Sequence, residues 1–226
     1  MPSILITGAN RGIGLELVRQ YAQAGWSVLA TVRDPKRPSQ LAELPGNIEI
    51  FALEAADHRS IDALVRDLNG RPIDVLIANA GIPGQLTATP EEITREDFLE
   101  VMSVNAFAPL ALATALFDNI IAGERRVVTA MSSLMSSVGS NDWGTQYSYR
   151  ASKTALNAVW RALALEWTPK NVACVLLRPG LVATEMSGGR GMPVEESVSG
   201  MLKVVDALTL ADSGRIIGFD GLDVPW

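Results

Sequence analysis

Residues 3–18 read SILITGANRGIGLELV, and the order of residue types within them sets the fold. The apolar run 4–6 has the length of a short buried strand, and 13–24 carries apolar residues at the 3.6-residue period of a helix. Between them lies Thr7-Gly8-Ala9-Asn10-Arg11-Gly12-Ile13-Gly14. Glycines there permit a tight turn and let backbone N–H groups and a helix N-terminus approach a pyrophosphate, whose charge the helix dipole favours. A glycine at a strand-to-helix turn is common for purely structural reasons. Three at this spacing, directly after a first strand, favour a dinucleotide.

The same alternation continues along the chain. Aliphatic runs at 28–32, 48–53, 75–77, 127–131, 172–177 and 216–219 read as further strands, and 61–68, 98–121, 149–167 and 194–208 have helical periodicity. Strands apolar on both sides need helices on both faces, and repeated right-handed crossovers give a doubly wound parallel sheet of about seven strands. The expected fold class is therefore α/β, one domain over 1–226. Ligands in such a sheet bind beyond the carboxyl ends of the strands, where strand order reverses.

Composition narrows the function. The 226 residues are 48% hydrophobic and 19% charged, with a formal net charge of −6. Nucleic acid is not an expected partner, because phosphate-backbone binding needs clustered Lys and Arg. No basic leader and no apolar run of 18 residues is read, so no membrane association is expected and the location is taken as cytoplasmic. Cys174, the single cysteine, sits among aliphatic residues and reads as a small buried strand residue. His58, the single histidine, has no second ligand nearby and reads as a solvated loop or helix-cap residue, so no metal is expected.

Further along come Asn79-Ala80-Gly81, Asn105, the pair Ser132-Ser133, Tyr149-x-x-x-Lys153 and Pro179-Gly180. With TGxxxGIG, these motifs resemble the short-chain dehydrogenase/reductase family over essentially the whole chain, and the C-terminal 212–215 and 220–226 segments resemble its C-factor (C-signal) subgroup. The resemblance implies a Rossmann-type domain binding NAD(P)(H). It assigns cofactor contacts to Gly8, Asn10, Arg11, Gly12, Ile13 and Gly14, to Glu54 and Ala55 near the adenine, and to Asn79, Ala80 and Gly81. At the nicotinamide end it assigns them to Tyr149, Lys153, Pro179, Gly180, Val182 and Thr184. Glu54 and Ala55 depart from the family's usual pair there.

The segment Tyr147-Ser148-Tyr149-Arg150-Ala151-Ser152-Lys153 holds two tyrosines, and helix geometry separates them. Tyr149 and Lys153 are four apart and share a face, whereas the residue four after Tyr147 is Ala151. A free phenol has a pKa of about 10 and is a poor proton donor or acceptor at neutral pH. The ammonium of Lys153 and an oxidised nicotinamide would lower it. A hydroxyl beside the phenol would stabilise charge developing on a carbonyl oxygen. By resemblance that hydroxyl is Ser133, with Ser132 as the alternative. The Ser133 to Tyr149 interval is about three residues longer than the family's, so the loop must bulge outward, and Ser136 and Ser137 compete on spacing alone. Asn105 resembles the family's helix asparagine that kinks the backbone and holds a water linking Lys153 to solvent.

Cofactor choice is read at the end of the second strand. An NAD site places a carboxylate there to bond the ribose 2′-OH, but Val32 occupies the position and Arg33 follows. The planar forks of Arg33 and Arg11 suit a 2′-phosphate, so NADP(H) is expected over NAD(H), with Asp34 capping the next turn. Loops 82–95, 134–146 and 181–193 should wall the substrate site with Leu86, Met135, Trp143, Met186 and Met192, favouring an apolar carbonyl or alcohol substrate. The alanine-rich 111–116 and 155–165 segments resemble the family's dimer-forming helices, implying a homodimer. Two other readings are a dinucleotide-binding signalling protein of the C-factor type, which would not need an intact Ser, Tyr and Lys set, and a sugar-nucleotide epimerase, for whose substrate domain the chain is short.

Overall fold

The computed structural model describes residues 1–37 and 40–226. Its strands are β1 (Ser3–Thr7), β2 (Ser27–Val32), β3 (Ile48–Ala52), β4 (Val75–Ala78), β5 (Val127–Met131), β6 (Ala173–Arg178) and β7 (Ile216–Gly218). They form one parallel sheet in the order β3-β2-β1-β4-β5-β6-β7. The chain first winds from β1 to β3 in one direction and then from β4 to β7 in the other. The reversal falls between β1 and β4, which is where a doubly wound sheet opens a crevice.

Helices α1 (Gly12–Gln23) and α7 (Val194–Ala207) cover one face. On the other lie α2 (His58–Leu68), α3 (Arg95–Met102), α4 (Ala108–Ala115), α5 (Phe117–Ala122) and α6 (Tyr147–Trp167). Alternate strand residues divide between the two cores. Ile4, Ile6, Val28, Ala30, Val75 and Ile77 meet Leu17, Val18, Val198 and Met201 on the first face. Leu5, Leu29, Leu76, Val128 and Cys174 meet Leu112, Leu116, Leu156 and Trp160 on the second. This explains why the strands read as unbroken apolar runs, with both sides buried. Cys174 is fully buried, and burial pushes its thiol up to about 12, so it behaves as a small hydrophobe. His58 opens α2 behind the N-cap Asp57 and sets its exposed ring edge-on to Phe107 at 5.5 Å.

The expected helix over 98–121 is instead three helices and a π-helical turn. Thr94 caps α3 by accepting the Asp97 N–H at 3.1 Å, and residues Ser103–Phe107 then form the π turn. Pro109, four residues after Asn105, has no N–H to offer the Asn105 carbonyl, so the α-helical ladder loosens there. The second break is at Leu116, whose backbone leaves the helical region (φ −93°, ψ 7°). The stretch Arg95–Ala115 also corrects the expectation that nothing is apolar enough to cross a membrane. It qualifies by length and composition alone, and Val101, Asn105, Ala106, Leu112 and Ala113 within it are buried in the protein.

The end of the sheet opposite the crevice is gathered by Asp74. Its carboxylate accepts the Ser3 N–H (2.7 Å), the Ser3 hydroxyl (3.1 Å) and the Glu124 N–H (2.7 Å), joining the starts of β1, β4 and β5. Burial alone would raise this carboxyl, but the N–H donors outweigh it and hold it below the ordinary value.

Candidate active site

Beyond the carboxyl ends of the strands lies a cavity of about 720 Å³. The glycine turn, the ends of β2 and β4, and residues 131–133, 146–153 and 179–190 contribute to its wall. Thr7 organises its floor. The hydroxyl of Thr7 accepts the backbone N–H groups of Asn79 (3.0 Å) and Ala80 (2.9 Å), while the Asn79 amide donates to the Thr7 carbonyl at 2.8 Å. Asn79 and Thr7 thus tie the ends of β1 and β4 together.

The glycine turn has the geometry its sequence implies. Gly8 adopts φ +66°, in the left-handed region. At Gly14 the limit is space: a Cβ would lie 2.2 Å from the Gly8 carbonyl oxygen and 2.7 Å from the Asn79 amide nitrogen. The N-cap, Arg11, gives no side-chain bond to the helix, so the first turn of α1 faces the cavity uncapped. At the end of β2, the Thr31 hydroxyl is buried on the cavity wall without a hydrogen-bond partner among the described residues. An anion-accepting helix start, a turn too close for side chains and an orphaned hydroxyl fit an extended, phosphate-bearing dinucleotide.

Gly8, Asn10, Arg11, Gly12, Ile13, Gly14, Arg33, Glu54, Ala55, Asn79, Ala80 and Gly81 all line this half of the cavity. Arg33 is exposed and makes no salt bridge among the described residues. Arg11 lines the same cavity as Arg33, and its guanidinium pairs with Glu185 on the loop after β6. Nothing in its sequence context signals that pairing, because the partner is 174 positions away. Asp34 caps its turn as expected, accepting the Lys36 N–H at 3.1 Å.

The other half holds the hydroxyls and the lysine. Of the candidate serines, Ser132 is turned away: its hydroxyl donates to the Asn157 Oδ1 at 2.7 Å in a buried network with Ser136. Ser137 bonds Ser140 and the Trp226 carbonyl, away from the cavity. Ser133 alone of the four places its hydroxyl beside the Tyr149 phenol. Tyr149 and Lys153 share a face of α6, with the Lys153 Nζ 5.7 Å from the Tyr149 ring centroid, whereas Tyr147 is exposed at the helix start. The Lys153 ammonium donates to the Met131 carbonyl at 2.7 Å.

The expected lowering of the phenol draws on Lys153 together with an oxidised nicotinamide. Among the protein's own groups, burial raises the Tyr149 phenol, and the neighbouring Ser133 hydroxyl only partly offsets it. Burial also lowers Lys153 to about 8. The physical reason is desolvation without a counter-charge: each group is pushed toward its neutral form, and the ammonium is engaged by a carbonyl rather than by the phenol.

Asn105, at the centre of the π turn, clamps the loop after β4. Its Oδ1 accepts the Ile82 N–H (2.9 Å), and its amide donates to the Ile82 carbonyl (2.8 Å) and the Ser152 hydroxyl (3.0 Å). Both amide hydrogens are therefore committed and Oδ1 accepts one bond, while Pro109 leaves the backbone carbonyl without an α-helical donor. Pro179, Gly180, Val182 and Thr184 line the cavity opposite the glycine turn. The Ser197 hydroxyl donates to the Pro179 carbonyl at 2.6 Å, and Thr184 faces Gly12 across the cleft.

Ile82, Leu86, Met135, Leu181 and Met186 give the substrate end an apolar wall. Trp143 and Met192, expected there, are placed elsewhere. Trp143 lies under the Arg150 guanidinium, and Met192 packs beside Gly180 while its backbone pairs with Leu181 and Ala183. The lining also includes Gln146, Glu100 and Arg190, which no motif in the sequence singles out.

Comparison with known proteins agrees with this geometry. The family model for short chain dehydrogenase matches residues 2–192. The C-signal protein of Myxococcus xanthus is 38% identical over 156 residues, covering 69% of this chain and 93% of that protein. The short chain dehydrogenase gsfK of Penicillium aethiopicum is 31% identical over the full length of both chains. Among solved structures, NADPH-bound carbonyl reductase from chicken fatty liver superposes with a TM-score of 0.91 at 35% identity, covering 100% of this chain and 99% of that one. A parallel sheet in this order, a glycine-turn cavity and a Tyr149/Lys153 pair thus coincide with a whole-length match, and the chain belongs to the short-chain dehydrogenase/reductase family of NAD(P)-dependent oxidoreductases.

Proposed function

We propose that the chain is a cytoplasmic NADP(H)-dependent carbonyl reductase, acting as one dinucleotide-binding unit on a small, mostly apolar carbonyl compound or, in reverse, on its alcohol. The observation that carries this reading is the placement of Ser133 and Tyr149 side by side on a cavity with a largely apolar substrate wall, whose far end holds Arg33, without a salt bridge among the described residues. The chicken carbonyl reductase, solved with NADPH, lends it support.

When bound, the nicotinamide supplies or accepts the hydride. The chain's residues supply the rest. Gly8 to Gly14 and the start of α1 hold the phosphates, and Arg33 takes the 2′-phosphate. Arg11 joins it by leaving Glu185, an exposed pair that costs little to open. Ser133 donates a hydrogen bond to the carbonyl oxygen, and Tyr149 gives that oxygen its proton. Burial raises the phenol and keeps it protonated in the resting site, and the positive charge of Lys153 offsets the cost of the phenolate left after the transfer. Lys153 restores the proton by way of a water held at the Asn105 backbone, while the Asn105 side chain keeps the 82–95 loop in place. A panel of aromatic and aliphatic aldehydes, ketones and diketones should reveal turnover as NADPH oxidation followed at its absorbance. Absence of turnover across the panel would favour the dinucleotide-binding signalling reading suggested by the C-signal relative.

We further propose a homodimer. Ala151, Ala155, Ala158, Ala162 and Leu165 form a partly to fully exposed stripe of mostly small residues along α6, and Leu110, Ala111 and Ala115 are only partly covered on α4. Small side chains allow close symmetric helix packing. Light scattering at micromolar concentration is expected to give twice the 24.2 kDa chain mass, and a monomer would overturn this.

A further inference from the structure

The loop that leads into α6 holds Gly144 (φ 67°), Thr145 (φ 61°) and Gln146 (φ 56°) consecutively in the left-handed region. Two of these are not glycine, and each such residue stores strain that surrounding structure must hold. The holding residue is Arg150. Its Nε donates to the carbonyls of Gly144 (3.1 Å) and Thr145 (3.0 Å), its backbone N–H donates to Gln146 (2.9 Å), and its guanidinium lies 4.4 Å over the Trp143 ring. Arg150 is only 8% exposed, and both terminal nitrogens are buried without hydrogen-bond partners. The cation is thus partly desolvated, which lowers its pKa, and the Asp142 carboxylate, the Trp143 π face and two carbonyls compensate it.

The residue this arrangement delivers is Gln146. It lies three positions before Tyr149, it lines the cavity, and its side-chain amide makes no hydrogen bond among the described residues. Ile82, Leu86, Met135, Leu181 and Met186 also line the cavity, together with the charged Glu100 and Arg190. We infer that Gln146 is a specificity residue, its carboxamide N–H groups donating to an acceptor on the substrate body separate from the reacting carbonyl, and that Arg150 is the positioning residue that fixes it there. The inference rests on the carbonyl-reductase reading above and deepens it. The preferred substrates carry an apolar frame and a second acceptor oxygen or nitrogen.

The test uses matched benzaldehydes bearing methoxy or ethyl at the ortho, meta or para position, similar in size but only one an acceptor. Dissociation constants are measured on the NADP+ complex by tryptophan fluorescence, and kcat/KM with NADPH. In the parent, methoxy should beat ethyl by roughly 3- to 10-fold at one ring position, the value of one neutral hydrogen bond. Gln146→Leu keeps the volume and should bring that ratio to about 1. Arg150→Met should lower the ratio in the parent and not lower it further in the Gln146→Leu background, a conditionality that a merely structural role would not produce. A ratio unchanged by Gln146→Leu, or a parent that binds both series equally or neither, overturns the inference. A parent that binds with the expected ratio but reduces nothing supports the Gln146 contact and removes the reductase reading instead.

Discussion

Tyr149→Phe is expected to lower turnover roughly 100-fold or more, the usual worth of a positioned general acid, with NADPH affinity nearly unchanged. The ring keeps its packing on α6, so only the proton is lost. Tyr147→Phe should have a far smaller effect, because Tyr147 is exposed at the helix start and faces away from Lys153. Steady-state NADPH oxidation with the best carbonyl of the panel distinguishes the two, and a Tyr149→Phe enzyme as active as the parent would show that another group supplies the proton. The pH profile should carry a second signature. Burial places Lys153 at about 8, so raising the pH through that value removes its charge, and the reductive rate should fall on the alkaline side.

Arg33→Ala is expected to weaken NADPH binding roughly 10- to 100-fold while hardly changing NADH, since a charge-assisted contact to the 2′-phosphate is lost and no contact to a 2′-OH is. Val32 ends β2 on the cavity wall with no carboxylate to oppose that phosphate. Val32→Asp combined with Arg33→Ala should therefore invert the preference, the new carboxylate accepting from the ribose hydroxyl and repelling the phosphate. Fluorescence titration of both cofactors measures this. Equal dissociation constants for NADH and NADPH in the unmodified protein would sink the argument.

These residues were accessible to reading because their roles follow from local spacing. The glycine turn is legible since Gly14 has no room for a Cβ, and the Tyr149/Lys153 pair because four residues on a helix make one face. Seven strands were legible from apolar runs because alternate residues feed two separate cores. What escaped reading depends on contacts distant in sequence or on backbone angles. The Arg11 to Glu185 pair joins two loops 174 positions apart, and the choice of Ser133 over Ser132 rests on the resemblance alone, its physical basis being the direction in which Asn157 draws Ser132. Trp143, an aromatic in a substrate loop, looked like a wall residue, but the strained turn that follows sends it beneath Arg150. The break in the 98–121 helix had one local clue, the proline four residues after Asn105, whose missing donor matters more than the unbroken hydrophobic periodicity around it.

The π turn at Ser103–Phe107 has a mechanical consequence as a fixed angular offset. It accommodates one residue beyond what a regular ladder needs, and one residue is about 100° of rotation in an α-helix. The stretch before the turn is thereby phased independently of the stretch after it: Val101 can face the core on one side while Leu112 and Ala113 face it on the other. Asn105 sits at the pivot, its amide gripping Ile82. Substitutions that preserve the count leave both phases intact, whereas deleting a single residue here would rotate the stretch before the turn by about 100° against the stretch after it. Either Asn105 would then swing off Ile82, or α4 would turn its apolar side away from β4, so the segment tolerates changes of residue type far better than changes of length.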